Sequence, residues 1–374
     1  YKLEQYPKTY LFYGPMFSDI YAPQDESQPY IDGKPKYEKD YTTNRYIIVN
    51  NWENSEVNSN SNHRGLIPRL WSSDRAANYM DFTSPLDFEI SSEYKNQETI
   101  IERVNSFRLR EQEGELTGED YNDFFRTLGP YLDISKPSLF DNLNFLFTYQ
   151  VNYMYWRYFM WNFVGRQNDI QGDYSNIYGN WLSGINFIDK IRLGNQSNLD
   201  DDQKNNKARN IYFFLPFIIG IIGLLYSYNR DLKTFWTLLL LFLFTGLALK
   251  FYLNERPFEP RERDYALVGS FYIFSIWIGF GMSSILNFFN KLKSKYLNYG
   301  LFFLCLMLVP GLMAFENWDD HDRSNRYTAQ SISRSYLQSI DEDKDAMIFT
   351  IGDNDTFALW YAQEIEEFRT DVRT

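Results

Sequence analysis

Four long apolar runs crowd the stretch from Ile211 to Phe315: Ile211 to Tyr228, Thr234 to Leu253, Tyr265 to Phe289 and Tyr299 to Phe315. A helix needs about 17 to 25 predominantly apolar residues to cross a bilayer, so each run reads as a transmembrane helix (211-228, 234-253, 265-289, 299-315). Lys250 stands near the end of the second run, where a four-carbon stem carries an ammonium to the interface. Gly269, Gly279 and Gly281 in the third run allow close helix approach but form no strict GxxxG pair. Pro310 and Gly311 fall near the end of the fourth, where a neighbouring helix or the interface satisfies freed backbone groups.

The mean hydropathy of the 374-residue chain is negative only because long polar flanks dilute this centre. A formal charge of −12, with most basic residues beside acidic ones, argues against nucleic acid as a partner. One cysteine, Cys305, excludes a disulfide framework and a thiolate metal site within the chain, and having only two histidines, His63 and His321, argues against a histidine-based metal centre. A hard cation held by carboxylates stays open. The chain starts at Tyr1 in polar sequence and stops at Thr374 as another extended segment begins, so a piece of a larger protein is expected.

An even number of spans places both polar flanks on one side. Charge bias does not orient them. Arg230, Lys233, Lys291, Lys293 and Lys295 lie on one side, against Lys204, Lys207, Arg209, Arg256, Arg261, Arg263, Arg323 and Arg326 on the other.

Residues 1-140 read as a polar α+β insertion. It has a hairpin between Tyr37 to Glu38 and Tyr46 to Val49, and helices over Gln97 to Leu109 and Tyr121 to Leu128. Residues 141-200 hold a dense aromatic stretch, Asn144 to Val164, whose polar-tipped rings favour the headgroup level. An interfacial or re-entrant helix is expected there, with a second short helix over Trp181 to Ile191. Residues 201-316 carry the four spans. Residues 317-374 begin an α/β layer: a helix over Tyr327 to Ile340, a buried strand over Ala346 to Ile351, a turn at Gly352 to Asp355, and a helix over Thr356 to Phe368.

Three polar clusters carry candidate chemistry. In the connector Asn254-Glu-Arg-Pro-Phe-Glu-Pro-Arg-Glu-Arg-Asp264, two prolines prevent a regular helix. Arg256, Arg261 and Arg263 present forked donors suited to phosphate at the membrane surface. Four carboxylates accompany them, so an ion-pair network pinning the loop is the competing reading. After the fourth run, Asp319, Asp320 and Asp322 supply oxygens for a divalent cation or a base for a hydroxyl, and His321 a proton shuttle. Helix capping and juxtamembrane hydration explain the same residues. Asp353 and Asp355 follow the expected strand, where open α/β sheets place ligand groups, or else cap the next helix. The sequence has no Gly-rich phosphate loop, no HExxH, no nucleophile elbow and no paired-cysteine metal pattern.

Four segments are unusual enough to carry a family resemblance: Tyr149 to Gln171 with its preceding aromatics, Arg261-Glu-Arg-Asp-Tyr-Ala-Leu-Val-Gly-Ser-Phe-Tyr272, Asn317-Trp-Asp-Asp-His-Asp-Arg-Ser324 and Gly352-Asp-Asn-Asp-Thr-Phe-Ala-Leu-Trp-Tyr-Ala-Gln363. From about Asn144 to Thr374 the chain resembles a family of large bacterial multi-span membrane proteins long known only as a domain of unknown function. The animal relatives of that family are protein O-mannosyltransferases. Residues 1-140 match only loosely, as a variable insertion.

The resemblance implies an α-helical membrane protein of GT-C type, with an extracytoplasmic α+β insertion and the start of a C-terminal α/β domain. It implies transfer of a sugar such as mannose from a polyprenyl phosphate to Ser or Thr of an exported protein. It places the protein in the bacterial inner (cytoplasmic) membrane with its soluble regions periplasmic. The general base would lie upstream of these residues, so no catalytic residue is assigned. Arg256, Arg261 and Arg263 are donor-phosphate candidates; Asp319, Asp320, His321, Asp322, Asp353 and Asp355 are acceptor or metal candidates. No cofactor beyond the lipid-linked sugar is expected, with a divalent cation left open. Implied partners are the bilayer, the lipid-linked sugar, an exported acceptor protein and subunits of a membrane complex. The main alternative is a non-catalytic scaffold of an envelope or secretion complex. A transporter fits less well, because Lys250 is the only charged side chain in the four runs.

Overall fold

A computed structural model describes residues 13–16, 25, 27–32, 36–50, 55–58, 61–68, 76–255, 257–258, 264–290, 295–341 and 346–374. The chain is mostly helical and divides into two compact units, Tyr1–Met313 and Ala314–Thr374.

In the first unit, short antiparallel strand pairs join Tyr13–Pro15 to Arg64–Leu66, Tyr30–Asp32 to Ser55–Val57, and Phe88–Ile90 to Leu132–Ile134. The expected hairpin is present as Lys36–Asp40 with Arg45–Asn50, in a register that sets Tyr37 opposite Ile48. Helices α1 (Ala76–Met80), α2 (Glu98–Glu113) and α3 (Gly118–Leu128) follow. Gly114, at φ 71°, ends α2 in a left-handed turn that other residues enter only with strain. Buried Tyr79, Val104, Phe107 and Phe125 make a core closed by Phe145 and Tyr149.

A capping box starts α3: Asp120 accepts from the Thr117 amide at 2.8 Å and the Thr117 hydroxyl at 2.6 Å, while its own amide donates back to Thr117 Oγ1. The Thr117 hydroxyl, then its amide, and Arg110 lower the Asp120 carboxyl from 3.8 to about 2. A depressed folded pKa adds stability above the unfolded value of about 4, and loses it as pH falls through about 2. The helix signal at 222 nm of the wild type is therefore expected to melt at falling temperature between pH 4 and pH 2. In Asp120→Asn that part of the acid dependence should vanish; an unchanged profile would show that the box carries no charge-dependent stability.

The aromatic stretch is one continuous helical rod. Helix α4 (Leu139–Phe145) runs into a wide-turn segment, Leu146–Trp156, and then α5 (Arg157–Phe163). A wide turn shifts the stripe of residues facing inward. Tyr149 and Tyr153 thus serve the polar-region core, and Tyr155, Phe159 and Phe163 serve a second core among the apolar helices. The rings are packed into protein along most of the rod.

The short helix expected over Trp181 to Ile191 starts later, as α6 (Asn186–Leu193). Buried Asp189 accepts from Ser183 N at 2.9 Å, Ser183 Oγ at 2.9 Å and Gly184 N at 2.8 Å, which holds the preceding residues in a turn. A single helical turn, α7 (Asp201–Lys204), comes next.

The first apolar run does not become helix from its start. Asn210–Ile211 pairs with Gly165–Arg166, and Phe213 and Phe214 adopt left-handed φ of 53° and 61°. What remains is α8 (Leu215–Arg230), 16 residues, reaching about 24 Å at ~1.5 Å per residue. The second run forms α9 (Leu232–Phe244) and α10 (Leu247–Leu253), separated at Gly246, where the Tyr155 ring and the Ser270 hydroxyl crowd the backbone. The third forms α11 (Val268–Asn290) behind a short Asp264–Leu267 turn. The fourth forms α12 (Lys295–Leu306), a wide turn over Met307–Gly311 that absorbs Pro310, and α13 (Leu312–His321).

Among the described residues three helical stretches are long and apolar enough to cross a membrane: Leu232–Leu253, Tyr265–Phe289 and Tyr296–His321. By length and composition these helices are compatible with a membrane protein. Helices α8 and α11 lie so close that a Cβ at Gly223 would collide with the Trp277 carbonyl, and one at Gly281 with that of Ile219.

The second unit contains α14 (Thr328–Gln338), α15 (Asp353–Trp360) and a wide turn over Tyr361–Ile365. Leu337, Leu359, Ala362 and Val372 form its core. Arg369 donates to the Leu337 and Ile340 carbonyls at 3.0 and 2.9 Å, satisfying the end of α14. The buried strand expected over Ala346 to Ile351 is corrected to one parallel bridge, Met347 to Arg373. Ile348 turns toward the core, but Phe349 is 87% and Ile351 94% exposed. A strand is buried only where partners cover both of its faces, and among the described residues Arg373 alone bridges to this one.

Candidate functional site

The best-built polar site lies where α10 hands over to the connector. Asn254 takes a left-handed φ of 45° and closes α10 through its amide to the Lys250 carbonyl at 3.3 Å. Its side chain then bridges two elements, donating to the Pro68 carbonyl at 3.3 Å and accepting from Gln150 Nε2 at 3.2 Å. Four residues on, the Phe258 amide donates to the Tyr149 hydroxyl at 3.1 Å. Its ring packs among Phe82, Tyr149 and Tyr153. The described part of the connector is thus fastened at two points to the aromatic rod.

Between those fastenings, Glu255 turns inward and meets Lys250 Nζ at 2.6 Å, with both side chains at least nine-tenths buried. The expectation that Lys250 reaches the interface is corrected. Its ammonium is inside the protein, because α10 packs against the rod and the chain returns a carboxylate five residues later. Burial first, and then the nearby Glu255 charge, hold the Tyr149 phenol well above its ordinary value, so it stays a neutral hydroxyl. Among the described residues, Glu255 Oε1 and Gln150 Oε1 are buried without a hydrogen-bond partner.

Arg256, Arg261 and Arg263 lie outside the described residues. The cluster after the fourth run sits at the end of α13. His321 Nδ1 lies 3.0 Å from the Asn317 carbonyl and 2.9 Å from Asp320 Oδ1, with the imidazole exposed. Asp322 accepts from the Ser324 amide at 3.0 Å, and hydrogen bonds from Ser324 hold its carboxyl below the usual range. Asp319 is exposed. Asp353 and Asp355 occupy the first turn of α15 behind Gly352, where the helix dipole favours carboxylates. Among the described residues no group of three or more His, Cys, Asp or Glu is placed to hold a metal ion.

Glu255, Gln150 and Tyr149 were given no role from the sequence, and Lys250 was read only as a side chain reaching the interface. The available signal was a lysine inside an apolar run with a carboxylate one helical turn beyond it. Such a lysine more often pairs inside the protein than stands alone.

The fold and site together define a helical protein with membrane-length helices and a buried ion pair, flanked in the described residues by the Asn254 and Phe258 hydrogen bonds to the aromatic rod. Residues 329–374 match the family described as TMEM260-associated domain 2, and residues 7–147 match a family of unknown function, DUF8416. No curated protein matches the chain, and no solved structure does.

Proposed function

We propose that the protein is a membrane glycosyltransferase of GT-C type that moves a sugar such as mannose from a polyprenyl phosphate to Ser or Thr of exported proteins. The observation that carries this reading is the match of residues 329–374 to TMEM260-associated domain 2, inside the stretch that resembles the family with protein O-mannosyltransferase relatives. The membrane-length helices and the polar site at the end of one of them support it.

In this reading α8 joins the three longer helices in the bilayer, the aromatic rod sits at the interface, and both polar flanks face the periplasm of a bacterial inner membrane. A carboxylate removes the acceptor hydroxyl proton, and the oxygen attacks the anomeric carbon. The bond to phosphate breaks, and its electron pair leaves on the lipid phosphate. Arg256, Arg261 and Arg263 meet that phosphate; the aspartates and His321 remain acceptor or cation candidates.

Deleting the gene is expected to abolish glycans on exported proteins, with restoration by the wild type but not by Arg261→Ala or Arg263→Ala, as read by lectin blotting and glycopeptide mass spectrometry. Glycans that persist in the deletion strain would remove the transferase reading. Restoration by both variants would remove the arginines from the donor site. The alternative is a non-catalytic scaffold of an envelope or secretion complex. A scaffold predicts intact glycans and loss of a membrane complex.

A further inference from the structure

We infer that the Lys250–Glu255 pair, with Gln150, is a subsite for hydroxyl groups of a neutral sugar, and that it reads the sugar of the lipid-linked donor while the phosphate is held elsewhere. This rests on the transferase reading above and names what one part of that site recognises.

The argument starts from unfilled hydrogen-bond capacity. A lysine ammonium has three N–H donors and an ionised carboxylate two acceptor oxygens. Among the described residues, Lys250 Nζ makes one hydrogen bond, to Glu255 Oε2, and Glu255 Oε1 makes none. Gln150, whose Nε2 donates to the side chain of Asn254 next to Glu255, has an Oε1 that makes none either. Buried polar groups are costly to leave unmet, and a half-met ionic cluster is costlier still. Something with both donors and acceptors belongs there.

Charge narrows the choice. The pair sums to zero, so a phosphate finds no net cation and a metal ion finds its carboxylate already neutralised. A hydroxyl both donates and accepts. It serves Glu255 Oε1 and Lys250 Nζ at once, and a neighbouring hydroxyl serves Gln150 Oε1. Water has the same capability, so the experiment must separate a sugar from a solvent site. Because both oxygens are shielded from solvent, a sugar reaches them only when the packing around them opens.

The test uses the full chain in lipid nanodiscs, with tryptophan fluorescence reporting binding. The probes are bare polyprenyl phosphate and its mannosyl, glucosyl and galactosyl forms. The proteins are wild type and the double variant Lys250→Met with Glu255→Leu, which removes both charges together and is checked for folding by its ligand-free melt. The wild type is expected to bind at least one sugar-bearing lipid roughly tenfold more tightly than the bare lipid, the worth of about one charge-assisted hydrogen bond. The double variant should bind all four alike, at the bare-lipid strength. A preference that survives in the double variant, or a wild type that binds bare and sugar-bearing lipid equally, overturns the subsite while leaving lipid-phosphate binding and glycan transfer standing. A wild type that binds none of the lipids overturns the transferase reading and the subsite with it. A double variant that fails to fold is replaced by Gln150→Leu, which should lose part of the sugar preference without touching either charge; retention of the full preference there overturns the role of Gln150.

Discussion

Glu255→Ala is expected to lower the stability of the protein by about 3–5 kcal/mol, because it leaves the Lys250 ammonium buried without its counter-charge. The loss comes mainly from the stranded partner. Accordingly, Lys250→Met combined with Glu255→Leu should return most of that stability, since replacing both members of a buried pair by apolar groups of similar size is often neutral or favourable. Chemical unfolding in detergent followed by tryptophan fluorescence reads both values. A Glu255→Ala protein within about 1 kcal/mol of wild type would mean that Lys250 finds water easily, as a side chain reaching for the interface would.

Gly223→Leu should cost about 3 kcal/mol or more, or prevent α8 from seating on α11. A Cβ at this position meets the Trp277 carbonyl, which is backbone and cannot swing aside. Overpacking against a yielding side chain costs about 1–3 kcal/mol, so a rigid obstacle takes the effect to the top of that range or past it. Gly279→Leu provides the control. A Cβ there meets nothing within 4 Å, and its effect should stay within about 0.5 kcal/mol. Equal effects at the two positions would show that the close contact with the Trp277 carbonyl does not govern the loss.

How much of this was legible from residues alone depended on range. The hairpin at Tyr37 and the helices around Val104 and Phe125 follow from local periodicity, and the structure has them within a few residues. The second, third and fourth apolar runs carry their own length signal and emerge as membrane-length helices. The start of the first run was misread because Ile211 is claimed by pairing with Gly165, a partner far upstream that hydropathy does not see. Lys250 was misread for a similar reason. Its position near the end of a run suits a side chain reaching water, and only the return of Glu255 across the end of α10 turns it inward. Apolar alternation around Ile348 signals a strand, yet ladder formation depends on neighbours that periodicity cannot supply.

The candidate site divides along the same line. The connector stands out in the sequence through its prolines and its dense charges. The residues that organise its described portion, Gln150 and Tyr149, come from a stretch about a hundred positions earlier. Nothing in the spacing of either segment predicts that pairing.

The short reach of α8 has a consequence for the surrounding lipid. At about 24 Å it falls some 6 Å below a hydrocarbon thickness of about 30 Å. Where such a helix is embedded beside longer ones, the bilayer compresses locally or the helix stands upright while its neighbours lean. Compression draws the headgroup plane inward on that flank of the bundle, shortening the path between a polar lipid terminus and side chains anchored near the helix ends.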